Sequence, residues 1–380
     1  MGSVEAYETT KGRRYRVLYR RPDHLQTSKR GFRTKFDAQI FLASVEVDKA
    51  TGRYVDPAKS RTTVANWMSR WLASRSDLRA TTRTRVEGII ANYIEPELGR
   101  IPIGNLTRLR VQEWAAELPG SPETIRKVVN VLSGALQLAV DDGRLPANPA
   151  VKLKLPKRVR AIKRYLTHDQ VAALAQAVGD RSKGSEHGYD TLVLTLAYCG
   201  LRWGELAGLR VRDIDFARKR LTVQQTVVAD KGYQRIEPPK DYEHRSIPIP
   251  AFLVDALKSQ TRGRSGDDPV FYGSRTKIWL RNHTFRNGWF DPAAAAIGLE
   301  TLTPHELRHT AASLAVSAGA NVKAVQRMLG HASASITLDV YADLFEDDLD
   351  AVAVALDDAA MKSNVAKVLP RTRFAPPTAD

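Results

Sequence analysis

The sequence predicts a multidomain, mainly α chain with small β-sheets, an α+β organisation. Three observations carry that reading. Apolar residues recur at helical spacing through 62–145 and again through 165–361, as in Val64, Trp67, Trp71 and Leu72. Short β-prone runs are confined to the first 33 residues and to 220–250. Between the helical regions, 146–164 holds Pro146, Pro149 and Pro156 with seven Lys or Arg and no acidic residue, so no helix continues through it. A chain of 380 residues has room for about two to three domains. The expected boundaries are a small basic domain at 1–60, a helical domain at 61–145, a basic linker at 146–164, a mixed domain at 165–361 and a flexible tail at 362–380.

In the first of these, 3–9, 15–20 and 27–33 read as strands, separated by Lys11-Gly12 and by Pro22-Asp23. Thr34 then caps a helix through Ala38, Phe41, Leu42 and Val45. The strands carry Arg13, Arg14, Arg16, Lys29 and Arg30. A three-stranded sheet backed by one helix suits a DNA groove, and these five are the expected DNA contacts; a solvated basic edge is the competing reading. Residues 62–145 supply four helices, with the tryptophans as core rather than a base-stacking platform. The linker reads as an extended segment on a phosphate backbone, through Lys152, Lys154, Lys157, Arg158 and Arg160. From 165 on, Thr167 opens a helix and 190–198 forms another that breaks at Cys199-Gly200. Strands at 220–228, 234–237 and 246–250 make a small antiparallel sheet, and helices at 252–260 and 283–296 follow.

The net charge of +16 calls for a polyanionic partner, nucleic acid ahead of a membrane surface. Cys199 is the only cysteine, which excludes a disulfide framework and a thiolate metal cluster; its apolar neighbours make it a buried, inert thiol. No apolar run approaches the ~18 residues of a membrane span, and the N-terminus has no apolar signal core. The expectation is a soluble protein of a reducing cytoplasm.

The chemistry concentrates at 303–341. Thr303, Pro304 and Glu306 form the capping box of a helix carrying His305 and Arg308 on one face. Asn321 caps a second helix, Gly330 ends it, and His331 stands at the exit corner. A third short helix carries Tyr341. Arg202 follows a helix-ending glycine in C-G-L-R-W-G-E-L, with Glu205 three residues later placed to hold it. Lys240 falls on an expected hairpin turn in P-P-K-D-Y-E-H-R-S-I-P-I-P.

Together these residues resemble the tyrosine recombinases, in their phage integrase branch. G-L-R-W-G-E-L resembles the first arginine box, H-E-L-R-H the second, and L-G-H and T-L-D-V-Y follow in order. One extra residue between His331 and Tyr341, and the acidic D-L-F-E-D-D-L-D after it, are similar to integrases of actinobacterial phages and mobile elements. The resemblance implies a mixed α/β catalytic domain in which Arg202, Lys240, His305, Arg308, His331 and Tyr341 are catalytic, supported by Glu205 and His309. It also implies an arm-type DNA-binding domain at the N-terminus. Tyr341 is then the nucleophile of a 3′-phosphotyrosine intermediate in site-specific recombination that integrates and excises a mobile genome. Two guanidiniums suit the charge that develops on the phosphate oxygens. His305 assists the tyrosine's proton, His331 bonds the phosphate, and Lys240 protonates the leaving 5′ oxygen. No cofactor, metal or ATP is expected, and no membrane.

The expected partners are double-stranded attachment-site DNA, a homotetramer on that DNA, a host bending protein and an excision factor. The place of action is the cytoplasm of a bacterial host, at the nucleoid. Leu349, Val352, Ala353 and Leu356 form a narrow stripe expected to dock on a neighbouring protomer. Two rival readings compete with this one. H-E-L-R-H at 305–309 also fits the zinc-protease pattern, but lacks a third ligand at the metzincin spacing. A DNA-binding protein without chemistry would not need the histidines, arginines and tyrosine together.

Overall fold

β1 (Ser3–Thr9), β2 (Gly12–Arg20) and β3 (Gln26–Phe32) form an antiparallel sheet in the order β1-β2-β3, with α1 (Lys35–Ala50) across one face. This computed structural model describes residues 2–22, 24–52, 54–56, 58–158, 164–183, 187–239, 244–273, 279–341, 354 and 356–361. The chain divides into two compact units, Met1–Ala161 and Ile162–Asp380. Val17 and Tyr19 of β2 are buried against Ala38 and Val45 of α1. Strand alternation therefore sends the intervening residues to the open face.

That alternation divides the basic residues expected on one DNA-facing surface. Arg16 pairs across the strands with Glu5 and Arg30, and Arg14 with Tyr7, so Arg14, Arg16 and Arg30 share the open face. Glu5 meets Arg16 at 2.7 Å. Arg13 and Lys29 belong to the helix side: Arg13 lies over the Tyr15 ring at 5.9 Å, and Lys29 Nζ over Phe41 at 4.3 Å.

The helices of the first unit are α2 (Val64–Ser74), α3 (Ala80–Ile89), α4 (Glu95–Leu98), α5 (Arg108–Glu117) and α6 (Pro122–Asp141). A π-turn at Ile90–Ile94 joins α3 to α4. Trp67 and Trp71 are buried as core, and the Trp67 indole donates to the Ala135 carbonyl at 2.7 Å.

The linker, expected as an extended segment on a phosphate backbone, packs on the helices of the first unit at its start. Leu153 and Leu155 pack on the helical core. Gln112 exchanges hydrogen bonds with the Lys154 backbone at 2.8 and 2.9 Å, and Arg126 donates to the Pro156 carbonyl at 2.6 Å. The reason lies in the alternation K-L-K-L: apolar residues turn inward while Lys152 and Lys154 stay exposed. Lys157 and Arg158 are also exposed, Arg158 3.2 Å from Glu123. Arg160 lies outside the described residues.

The second unit contains α7 (His168–Arg181), α8 (Tyr189–Cys199), α9 (Trp203–Ala207), β4 (Ile214–Asp215), β5 (Arg220–Val223), β6 (Thr226–Asp230), β7 (Tyr233–Glu237) and β8 (Arg245–Pro248). It continues with α10 (Ala251–Thr261), α11 (Asn282–Phe285), α12 (Asp291–Ala296), α13 (Pro304–Ser317), α14 (Val322–Leu329) and α15 (Ala334–Tyr341). The single sheet expected here is two. β5 pairs with β4 and β8, whereas β6 and β7 form a separate hairpin. The strand expected at 220–228 breaks after Val223, where Gln225 donates to the Gly208 carbonyl at 2.9 Å. The strands that flank Lys240 in sequence, β7 and β8, belong to different sheets, and Lys240 itself lies outside the described residues.

Gly200, at φ +65°, ends α8 in the left-handed region. A Cβ there would stand 2.8 Å from Leu329 and 3.3 Å from Ala311. Only glycine lets α8, α13 and the end of α14 converge this closely, and that convergence places the polar residues described next.

Candidate active site

Glu205 is the site's negative centre, and it is only 3% exposed. Arg202 sits just before α9 and gives its backbone N–H to Glu205 Oε2 at 2.8 Å and its guanidinium to Oε1 at 2.9 Å. Arg245, at the start of β8, reaches the same carboxylate at 2.9 and 2.5 Å. Burial opposes ionisation of Glu205, but the hydrogen bonds and charges of Arg245 and Arg202 win and hold its carboxyl below the ordinary range.

The C-terminal end of α14 completes the support. Its last carbonyls have no N–H donors within the helix, and the helix dipole makes them more negative. Three successive ones each receive a guanidinium: Arg245 donates to Met328 O at 3.1 Å, Arg308 to Leu329 O at 2.6 Å and Arg202 to Gly330 O at 3.2 Å. Arg308, 3% exposed, also donates to Gly200 O at 2.5 Å. Burial, and then the nearby Arg202 charge, push Arg308 down to about 9. Gly330 turns the chain at φ +65°, and a Cβ there would stand 2.9 Å from the Arg245 side chain.

His331 follows the turn, with Nδ1 2.9 Å from the buried Thr337 hydroxyl. Burial first, then the charges of Arg308, Arg202 and Arg245, push His331 down to about 4, so its ring is neutral near pH 7. The Tyr341 ring stacks on His331 at 6.3 Å and is 1% exposed, packed among Ala312, Val316, Val325 and Leu329. Its hydroxyl lies 2.8 Å from His309 Nδ1. Burial raises the phenol to about 12, against the pull of the Arg308 charge. His305 is exposed, edge-on to His309 at 5.0 Å. Partial burial, then the Arg308 and Arg202 charges, hold His305 below its ordinary range. A cavity of about 400 Å³ opens beside Arg202, Arg245, Gln326 and His331.

Residues 164–347 match the phage integrase family, and residues 63–118 match the N-terminal SAM-like domain of phage integrases. The chain belongs to the phage integrase family of tyrosine recombinases. This recombinase is 28% identical to a XerC-like tyrosine recombinase of Caldanaerobacter subterraneus subsp. tengcongensis, over 73% of this chain and 78% of that one. It is 26% identical to a protein of Mycobacterium tuberculosis named as a prophage phiRv2 integrase, over 86% and 88%. Its fold is shared with the Tn1549 transposon integrase in complex with a circular intermediate DNA: TM-score 0.65, 23% identity, covering 73% of this chain and 95% of that one. A lambda integrase dimer bound to a COC′ core site gives TM-score 0.58 at 20% identity, covering 88% and 93%.

Of the recombinase's sequence-derived site residues, the structure brings together Arg202, Glu205, Arg308, His309, His331 and Tyr341, with His305 at the exposed margin. Two residues differ from the reading of the sequence. His309, not His305, touches the tyrosine hydroxyl. Arg245, absent from that reading, is the second partner of Glu205. Its signal was indirect: a buried carboxylate accepts about four hydrogen bonds, and one arginine leaves it short. The Glu306 carboxylate, the base in the protease reading, instead accepts from the Thr303 N–H at 2.7 Å and its hydroxyl at 3.0 Å.

Proposed function

We propose that this site-specific recombinase integrates and excises a mobile DNA element, using Tyr341 as nucleophile. The observation that carries this reading is the convergence of Arg202, Arg308, His331 and Tyr341 around the end of α14. The tyrosine oxygen attacks a backbone phosphorus, the bond to the 5′ oxygen breaks, and a 3′-phosphotyrosine forms. Arg202 and Arg308 stabilise the charge that grows on the non-bridging oxygens. In the tautomer where the Thr337 hydroxyl donates to His331 Nδ1, Nε2–H is the donor toward phosphate. Lys240 gives the departing 5′ oxygen its proton. The 5′ hydroxyl of a partner strand then reverses the attack, and because the phosphodiester energy is kept in the tyrosine ester no nucleotide is consumed. His305 serves at the exposed margin of the phosphate site.

DNA is held by the open face of β1–β3, through Arg14, Arg16 and Arg30, with Arg13 and Lys29 reaching it from the helix side of the sheet, and by Lys152, Lys154, Lys157, Arg158 and Arg160. Four protomers assemble on two duplexes in a bacterial host, with a DNA-bending protein and an excision factor setting direction. No described helix is long and apolar enough to cross a membrane. Integration and excision are favoured over chromosome-dimer resolution by the basic sheet domain. The test uses nicked duplexes tiled across both ends of the DNA element that carries the gene. Wild type should yield a covalent adduct, and Tyr341→Phe should bind the same duplex without one. An adduct from the variant would put the nucleophile elsewhere.

A further inference from the structure

The residue against the nucleophile's oxygen is His309. It lies one helical turn beyond His305 on α13, half-buried, with Nδ1 2.8 Å from the Tyr341 oxygen. Its ring meets the tyrosine edge-on at 5.7 Å, while His331 covers the tyrosine's face. A phenol enclosed in this way ionises less readily than one in water, so attack on phosphorus needs a base at the oxygen itself. His305 stands behind His309 and is open to solvent, which gives a path outward for a proton. His331 faces Thr337 through Nδ1 and is committed on that side.

We propose that His309 is a catalytic residue that accepts the Tyr341 proton through Nδ1 as the oxygen–phosphorus bond forms. The inference rests on Tyr341 being the nucleophile. In the forward step the phenol proton moves to His309, the tyrosine–phosphorus bond forms, the bond to the 5′ oxygen breaks, and Lys240 protonates that oxygen. In the return step the incoming 5′ hydroxyl gives its proton to Lys240, and His309 returns its own to the departing tyrosine. The titratable and charged groups around this pair are His305 and Arg308 on α13, His331 after α14, Tyr165 ahead of α7 and, further off, Arg202 and Arg245. Of these, His305 and His331 are the other imidazoles, and both are held below the ordinary histidine range, His331 at about 4.

The test measures single-turnover adduct formation by the full chain on the tiled nicked duplexes, alongside duplexes with sulfur in place of the bridging 5′ oxygen. A sulfur leaving group needs no proton, so it rescues loss of Lys240 but not loss of a base on the tyrosine. His309→Ala should slow cleavage of both duplexes by about 100-fold or more, while Lys240→Ala should be slow on oxygen and restored on sulfur. His309→Asn keeps a hydrogen-bond acceptor near the phenol but takes no proton. It should bind DNA as wild type does, remain as slow as the alanine variant, and lose the acid-side limb of the wild-type rate profile. An asparagine variant within a few-fold of wild type, with the wild-type pH profile, would reduce His309 to a holding role and overturn the proposal. Sulfur rescue of His309→Ala would overturn it too, by placing the residue on the leaving-group side. Absence of any adduct from wild type would sink the tyrosine reading itself, an outcome distinct from both.

Discussion

Glu205→Gln tests the electrostatic frame of the site, because it removes one charge and almost no volume. The carboxylate is 3% exposed and shared by Arg245, whose side chain is 12% exposed, and Arg202, at 32%. The Arg202 pair is the more open to solvent, so its contribution is discounted. The Arg245 pair is buried, and removing one partner of a buried pair costs about 3–5 kcal/mol, because the other charge stays enclosed without compensation. Here the cost is raised by Arg308, a third cation against the same helix end. A glutamine amide would also turn an N–H toward one of the guanidiniums. At about 2–4 °C per kcal/mol for a unit of this size, the melting temperature of the full chain should fall by about 6–20 °C. The pH dependence gives a second check. The Glu205 carboxyl is held below its ordinary 4.5 in the folded state. Its stabilisation is therefore complete above that pH and is lost as pH falls through the lower folded value. The variant should lack this acid limb. Thermal melts of both proteins between pH 3 and 7 measure both effects. A shift under 2 °C at pH 7, with an unchanged acid limb, would refute the reasoning.

Two further outcomes follow from the proposed function. Removal of residues 2–60 should leave adduct formation on a core duplex within about threefold of wild type and lower recombination of a full attachment site by tenfold or more; unchanged recombination would count against DNA binding by the β1–β3 sheet. Truncation after Phe345 should weaken four-protomer assembly by at least tenfold while sparing single-site binding. Leu356 is 65% exposed within its own chain, and burying even one such side chain on a neighbour is worth about 1.5–3 kcal/mol; sedimentation showing normal tetramers would exclude that exchange.

Local signals made most of the helical frame legible. Thr303, Asn321 and Gly330 act through their nearest neighbours, so capping chemistry placed α13, α14 and the His331 corner within a residue. Tertiary choices stayed hidden. Nothing local says that the run at 220–228 divides between two sheets, because the break is set by Gln225 reaching a carbonyl on another segment. The basic sheet was legible as strands, but counting charges along a strand ignores the two-residue period that sends Arg14 and Arg16 to one face and Arg13 to the other. Arg245 and the contact of His309 with the tyrosine were invisible for the same reason: each is defined by a partner far along the chain, Glu205 and Tyr341.

The arrangement of the arginines explains why so much of the site lies at a helix end. Three guanidiniums converging on one point repel one another, and a single carboxylate offsets only part of that. More acidic residues would solve the folding problem but would neutralise the field needed by a phosphate. Backbone carbonyls at the end of α14 hold the cations by dipoles instead, so Arg202, Arg245 and Arg308 are fixed while most of their charge is kept. Burial first, and then the repulsion left over, lowers both Arg308 and His331. Under the proposed function, a phosphodiester entering the cleft supplies the missing negative charge, and the extra charge of its transition state offsets the repulsion further. Folding thus bears the cost of arranging the site in advance, which is the condition under which electrostatics favour the transition state over the ground state.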